Sequence, residues 1–251
     1  MTAELTVRLV GGPTAVIELG GVRLLTDPTY DPPGDYPTGN RVLTKTTGPA
    51  VPAEQVGPVD AVLLSHDQHP DNLDVSGRAL LAGVPLVLTT AEAADRLGGR
   101  ATALPSWERA AVGAVTVTAV PAQHGPDGTS HLTGPVTGFV LTGDGLPTVY
   151  VSGDNASVDV VRAVAERTGP VDVAVLFAGA ARTALIDGYL TLTAQDAAEA
   201  ARVLGARTVV PVHAEGWAHF TQGVDDLVTA YAAAGLADRL HVLSPGETAT
   251  L

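Results

Sequence analysis

The stretch SHDQHPDNLD, Ser65 to Asp74, follows directly on the apolar run DAVLL at Asp60 to Leu64. A short apolar run of this kind reads as a buried strand. The residues behind it bring two histidines, three aspartates and an asparagine into one loop. In α/β folds, ligand sites gather at the carboxyl ends of strands. Imidazole and carboxylate are the donors that hold Zn, Mn or Fe where thiolate is absent, and this chain has no Cys. A purely structural reading stands beside this one: Asp71, Asn72 or Asp74 caps the helix that follows.

Working outward, the same arrangement recurs. His124 closes the strand-like VTVTAV in PAQHGP, Asp154 closes TVYV in VSGDN, and His213 closes TVVPV in VPVHAEGWAHF. Taken singly, these are a turn histidine, an Asx-turn or N-cap aspartate, and a satisfied strand-end histidine. Four such groups, each at the end of a predicted strand, point instead to one convergent site.

The rest of the chain supplies a frame for it. Leu5 to Val10, Thr14 to Leu19 and Val22 to Thr26 read as strands, with Gly20-Gly21 as a two-residue hairpin turn. A Pro/Gly-rich loop, DPTYDPPGDYPTG, runs from Asp27 to Gly39; Tyr30 and Tyr36 in it are candidates for a wall or lid. Thr89 with Glu92 reads as a capping box for a helix stopped near Gly98-Gly99. Val115 to Val120, Val136 to Leu141, Thr148 to Val151, Val171 to Leu176, Thr208 to Val212 and His241 to Leu243 read as strands. Val158 to Arg167, the segment capped by Thr193 and Asp196, and Val224 to Tyr231 read as helices, the last from apolar residues at i, i+3, i+4, i+7. Two sheets face to face with helices outside bury all these faces, so the expected fold is an α/β, four-layer αββα sandwich. No repeat or linker divides the chain, and residues 1–251 read as a single domain.

Composition narrows the function. With 14 basic against 27 acidic side chains the net charge is -13, which disfavours a nucleic-acid partner. No apolar run reaches the roughly 18–20 residues of a membrane span, and the N-terminus lacks the order of a secretory signal. Together with the missing thiols this fits a cytoplasmic protein acting on a small molecule; a homo-oligomer is left open.

The motifs in order, LLTDP (Leu24 to Pro28), LLSHDQHPDNLD (Leu63 to Asp74), PAQHGP, VSGD and VPVHAEGWAHF, resemble those of the metallo-β-lactamase superfamily. Within it they resemble the branch of L-ascorbate-6-phosphate lactonase and the phospholipase D that hydrolyses N-acylphosphatidylethanolamine. The resemblance implies one or two divalent ions, Zn or Mn or also Fe. It implies His66, His69 and His124 at a first metal position and Asp71 with His213 at a second, with Asp154 bridging. It implies an early aspartate, Asp27, orienting the histidine loop, and hydrolysis by a metal-bound hydroxide that Asp71 orients. The chain departs from the family's His-x-His-x-Asp-His twice. His66 and Asp71 are five apart instead of four, so either Gln68 or His69 fills the second place, and imidazole is the better donor. Asn72 stands where a histidine is usual. Near His213, His219 is a further candidate catalytic group and Trp217 a candidate pocket residue; Arg182 is a candidate contact for an anionic group, and His131 reads as a surface residue. The expected reaction is hydrolysis of a small lactone or ester. The alternatives are a phosphodiesterase of the same fold and a non-catalytic metal- or metabolite-binding relative.

Overall fold

The computed structural model describes residues 5–39 and 41–251. Along the chain run β1 (Leu5–Gly11), β2 (Thr14–Leu19), β3 (Val22–Thr26), β4 (Gly34–Thr38), β5 (Arg41–Lys45), β6 (Ala61–Leu63), α1 (Val75–Leu81), β7 (Val87–Thr89), α2 (Ala91–Leu97), β8 (Ala101–Ala103) and β9 (Arg109–Val112). There follow β10 (Val115–Pro121), α3 (Ser130–Thr133), β11 (Thr137–Thr142), β12 (Val149–Val151), α4 (Val158–Thr168), β13 (Val173–Phe177), α5 (Ala194–Val203), β14 (Thr208–Val212), α6 (Val224–Ala233) and β15 (Thr248–Thr250).

Two large sheets form, in the orders β15-β1-β2-β3-β6-β7-β8 and β14-β13-β12-β11-β10-β9, with β4-β5 as a separate ribbon. Strand side chains alternate between faces, and the apolar residues sort accordingly. Val7, Ile17, Leu24 and Leu63 of the first sheet meet Val117, Phe139, Val151 and Val175 of the second in one core. The opposite face of the second sheet, with Tyr150, Ala174 and Leu176, packs on Val161 and Val164 of α4, Ala197 and Ala201 of α5, and Leu227 and Tyr231 of α6. The outer face of the first sheet, with Val16, Leu25, Val62 and Val87, packs on Leu81 of α1. Three apolar seams between helices, sheet, sheet and helices make the αββα sandwich expected from the pattern. The Gly20-Gly21 turn has φ of 58° and 78°, the left-handed backbone that a tight hairpin needs.

Several elements differ from the sequence reading. The Pro/Gly-rich loop ends in a strand, β4, paired with β5 from Gly34↔Lys45 to Thr38↔Arg41. This ribbon is held by tertiary contacts that have no sequence period: Lys45 bridges to Trp217, and Tyr36 meets the Trp217 ring edge-on at 6.0 Å. The α2 cap is Thr90, whose side chain accepts from the Ala93 amide, not Thr89, because Thr89 is the last residue of β7. The short strands β7, β8 and β9 have no counterpart in the sequence reading. His241 to Leu243 is not a strand: Val209 bridges to Leu240, and the chain then leaves the sheet edge, so that the last strand is β15. The α5 cap is as expected, with Thr193 accepting from the Asp196 amide.

The chain's one lysine ties the ribbon to the body. Lys45 is 4% exposed, and its Nζ lies 3.2 Å from Asp74 Oδ2. Asp74 also accepts from the Asp31 amide at 2.6 Å and caps α1 through the Gly77 amide at 2.8 Å. Removing one member of a buried ion pair leaves the other desolvated and unpaired. Lys45→Met is therefore expected to lower stability by about 3 kcal/mol, read as a shifted denaturant midpoint at unchanged slope. A midpoint shift within error would mean that the pair contributes nothing.

Candidate metal centre

The carboxyl ends of β6 in one sheet and of β10, β12 and β14 in the other open on the same edge of the sandwich. His66, His124, Asp154 and His213 hang from the loops that begin there. They and their neighbours form two groups: His66, His69 and His124, and Asp71, Asp154 and His213. Within each group the potential donor atoms lie within 4.8 Å of one another. Of the motif's two candidates at the second place, His69 faces the cluster. The Gln68 side chain turns back to the Asp67 amide at 3.2 Å and lies against Gly134.

The first group consists of three imidazoles whose ring nitrogens face one another. Asp27 Oδ2 accepts from Ser65 Oγ at 2.5 Å, so that hydroxyl is left to accept from His66 Nδ1 at 2.9 Å. His66 thus carries its lone pair on Nε2, which lies 2.9 Å from His69 Nδ1. His124 Nδ1 lies 2.7 Å from the Leu190 carbonyl, which only accepts, so Nδ1 carries a proton and Nε2 is the nitrogen turned to the cluster, 3.6 Å from Asp154 Oδ2. The three rings stand 4.9 to 5.3 Å apart. Burial, and then the neighbouring imidazoles, push His69 down to about 4 and His66 well below the usual histidine value.

The second group is the electrostatic complement. Asp71 and Asp154 are 4% and 1% exposed. His213, fully buried, stands between them, with Nε2 3.3 Å from Asp71 Oδ2 and Nδ1 3.5 Å from Asp154 Oδ1. Burial disfavours charge on His213, but Asp154 and Asp71 outweigh it and raise its imidazole. Burial likewise works against ionised Asp71, yet the His219 charge and the contacts of His213 and His219 hold its carboxyl well below the usual range. His219 Nε2 approaches Asp71 Oδ2 at 3.0 Å. Such a slot favours a cation.

Unsatisfied atoms mark the same place. Buried side-chain polar atoms are normally hydrogen-bonded. Asp71 Oδ1, Asn72 Oδ1, both His213 nitrogens and His219 Nδ1 are buried without a partner. A donor set of imidazoles and carboxylates with this many unpartnered atoms fits divalent ions. Backbone strain is concentrated here as well: Asp27 and His213 have φ of 26° and 54°, a region that non-glycine residues hold only when their surroundings compel it.

Asn72 occupies an unexpected role. Its Nδ2 donates to Asp27 Oδ2 and Asp154 Oδ1, both at 3.0 Å, and so clamps two buried carboxylates that would otherwise repel. Asp27 is itself pushed up to about 7, chiefly by burial, against its hydrogen bonds from Ser65 and Asn72. Asn72→Ala is expected to reduce stability by about 2 kcal/mol, the scale of a buried hydrogen bond to a charged group. Thermal or chemical unfolding measures this, and an unchanged value would mean that the clamp is idle.

A cavity of about 300 Å³ opens onto His69, Asp71, His124 and His219. Leu43, Leu185 and Leu190 line it too, together with Arg41 and Arg182. Arg182 is held 3.6 Å from Asp187 and 5.3 Å over the Tyr189 ring. Trp217 is 3% exposed and stands behind His219, with ring centroids 6.1 Å apart; it backs the site and does not line the cavity. Tyr30 is buried in the outer apolar seam, and Tyr36 packs on Trp217, so neither covers the opening. His131 lies exposed on α3, its Nδ1 bonded to the Gly128 carbonyl. Arg41 carries no sequence signal of its own; its place at the cavity follows from the β4–β5 pairing.

An αββα sandwich with a histidine–aspartate cluster at one sheet edge defines the metallo-β-lactamase fold. Residues 22–214 match the family described as the Beta-lactamase superfamily domain, and the chain belongs to that superfamily. It is 28% identical to a UPF0173 metal-dependent hydrolase of Pyrococcus abyssi over 96% of this chain and 97% of the relative. It is 31% identical to another such hydrolase, of Pelotomaculum thermopropionicum, over 79% of this chain and 85% of the relative. Among solved structures, an isothiocyanate hydrolase from Delia radicum gut bacteria superposes with a TM-score of 0.83 at 23% identity, covering 97% of this chain and 98% of that one. The metallo hydrolase Igni18 of Ignicoccus hospitalis superposes with a TM-score of 0.74 at 21% identity, covering 99% and 98%. Among the described residues no helix is long and apolar enough to cross a membrane.

Proposed function

We propose that the chain hydrolyses a small carbonyl-type electrophile, a lactone or acyl ester, with His66, His69 and His124 holding one divalent ion and Asp71, Asp154 and His213 a second. The observation that carries this reading is the pairing of three clustered imidazoles with two buried carboxylates and a fourth imidazole beside a cavity. Bound ions would supply an acidified water and an electrophile for developing negative charge. The chain's own groups do the rest. Asp71 orients the attacking water and accepts its proton. His219, in contact with Asp71 and facing the cavity, passes a proton to the departing oxygen. The water oxygen bonds to the carbonyl carbon as the bond from that carbon to the leaving oxygen breaks. Leu43, Leu185 and Leu190 give the cavity an apolar side that suits a substrate with an apolar chain. With two carboxylates against one histidine, the second position suits Mn or Fe better than Zn.

A neutral electrophile of another kind also fits an apolar cavity. The neighbour named an isothiocyanate hydrolase makes the isothiocyanate carbon a second candidate for attack by the same water. The test is a panel of lactones, p-nitrophenyl acyl esters, an aryl isothiocyanate and p-nitrophenyl phosphodiesters, run with added Mn, Fe and Zn. Lactone or ester turnover is expected. Turnover of isothiocyanate or phosphodiester alone would move the assignment to that substrate. Inertness of fully metal-loaded protein would leave a non-catalytic binding protein.

Metal content is checked separately. Protein purified without chelators is expected to carry at least about one Mn, Fe or Zn per chain, and His124→Ala to lower that amount. Metal-free protein that also refuses added ions would end the proposal.

A further inference from the structure

The cavity pairs apolar side chains with a cation that has no ion-pair partner among the described residues. Arg41, at the start of β5, makes one side-chain hydrogen bond, Nη1 to Thr183 Oγ1 at 3.0 Å, and no ion pair among the described residues. A guanidinium carries five N–H donors in a planar fork, so most of Arg41's donors remain free. Arg182, the other cation at the rim, is already drawn to Asp187 and Tyr189. Arg41 and His69 line the same cavity. Val42 and Leu185, both at the cavity, are 57% and 58% exposed, large apolar side chains left open where a ligand would cover them.

We infer that Arg41 is a specificity-determining residue, and that the preferred substrate is an ester or lactone with a short apolar chain ending in one carboxylate. The scissile carbonyl sits at the histidine–aspartate cluster, the chain lies along Val42 and Leu185, and the carboxylate meets the guanidinium fork. This rests on the ester or lactone reading above and narrows it. In a chain of net charge -13 the long-range field repels such a substrate, so capture must be local, by a cation placed at the rim. The carboxylate arm takes no part in bond making or breaking.

The test compares mono-p-nitrophenyl adipate with p-nitrophenyl hexanoate, matched in chain length and differing in the terminal carboxylate. The metal-loaded wild type is expected to favour the adipate ester by about tenfold or more in kcat/KM, the scale of a charge-assisted hydrogen bond. Arg41→Met is expected to collapse that ratio toward one, chiefly by raising KM for the adipate ester, and Arg41→Lys to restore part of it. Arg182→Met is expected to change the ratio by less. A wild type without preference, or Arg41→Met losing equally on both esters, overturns the inference. If neither ester turns over, the reaction proposal fails. The Arg41 site is then read by calorimetric titration of metal-loaded protein with adipamate against hexanamide. Tighter adipamate binding that disappears in Arg41→Met upholds it, and equal binding overturns it.

Discussion

Asp154→Ala is expected to abolish turnover, by at least about 10³-fold, a loss of roughly 4 kcal/mol in transition-state stabilisation, and to release metal. Asp154 lies between the two groups. Its Oδ2 faces His124 Nε2 at 3.6 Å and its Oδ1 faces His213 Nδ1 at 3.5 Å. It also accepts the Asn72 amide, so its carboxylate is held in place before any ion arrives. Alanine would leave a fully buried imidazole with one carboxylate fewer to balance a cation, and an amide donor without its acceptor. Asp71→Ala is expected to fall as far, through loss of the group that contacts both His213 and His219. Steady-state kinetics with elemental analysis of each variant measures both. An Asp154→Ala protein that keeps its metal and its rate would show that the bridge is not needed. Asp127→Ala, at an exposed carboxylate outside the cluster, serves as the comparison.

The second large effect is structural and begins at a residue without functional groups. A Cβ on Gly77 would lie 1.8 Å from the Pro28 carbonyl oxygen and 2.7 Å from its carbon. Both are backbone atoms, so no side chain can swing aside. Helix α1 approaches the Asp27–Pro28 segment this closely because Gly77 is bare. Asp27, next to Pro28 and with φ of 26°, accepts from the Ser65 amide and hydroxyl, and Ser65 Oγ lies 2.9 Å from His66 Nδ1. Gly77→Ala must push the helix and the Asp27 segment apart. Overpacking commonly costs about 1–3 kcal/mol and more against backbone, and a loss of about 3 kcal/mol or greater is expected. Metal retention should weaken in the surviving folded fraction, because Asp27 orients the histidine loop. Differential scanning calorimetry and chelator competition report the two consequences separately. An unchanged Tm would mean that the helix can slide without loss.

The strand ends were legible in the sequence because their signals are local. DAVLL, VTVTAV and TVVPV are β-branched apolar runs, and a chemistry-capable residue directly behind each is visible without a structure. The capped helices were legible for the same reason, save where the capping threonine was one residue off at α2. The β4–β5 ribbon was not, since its stability lies in contacts with Trp217 and Asp74, distant in the chain. The short strands β7 to β9 were not read, whereas the comparably short β6 and β12 stood out because a chemistry-capable residue follows each.

The sequence by itself determined the layered α/β architecture and which six residues could converge, because hydrophobic alternation and strand-end position are properties of neighbouring residues. Tertiary structure decided what loops do. It turned His69 inward and Gln68 toward Gly134, since a loop with one extra residue can rotate either side chain to the inside. It made Asn72 a clamp between Asp27 and Asp154, where the family resemblance put it at a place usually held by histidine. It placed Arg41, on a ribbon the sequence did not announce, at the mouth of the cavity. Each of these depends on groups far apart in the chain, and only the packed fold sets the distances between them.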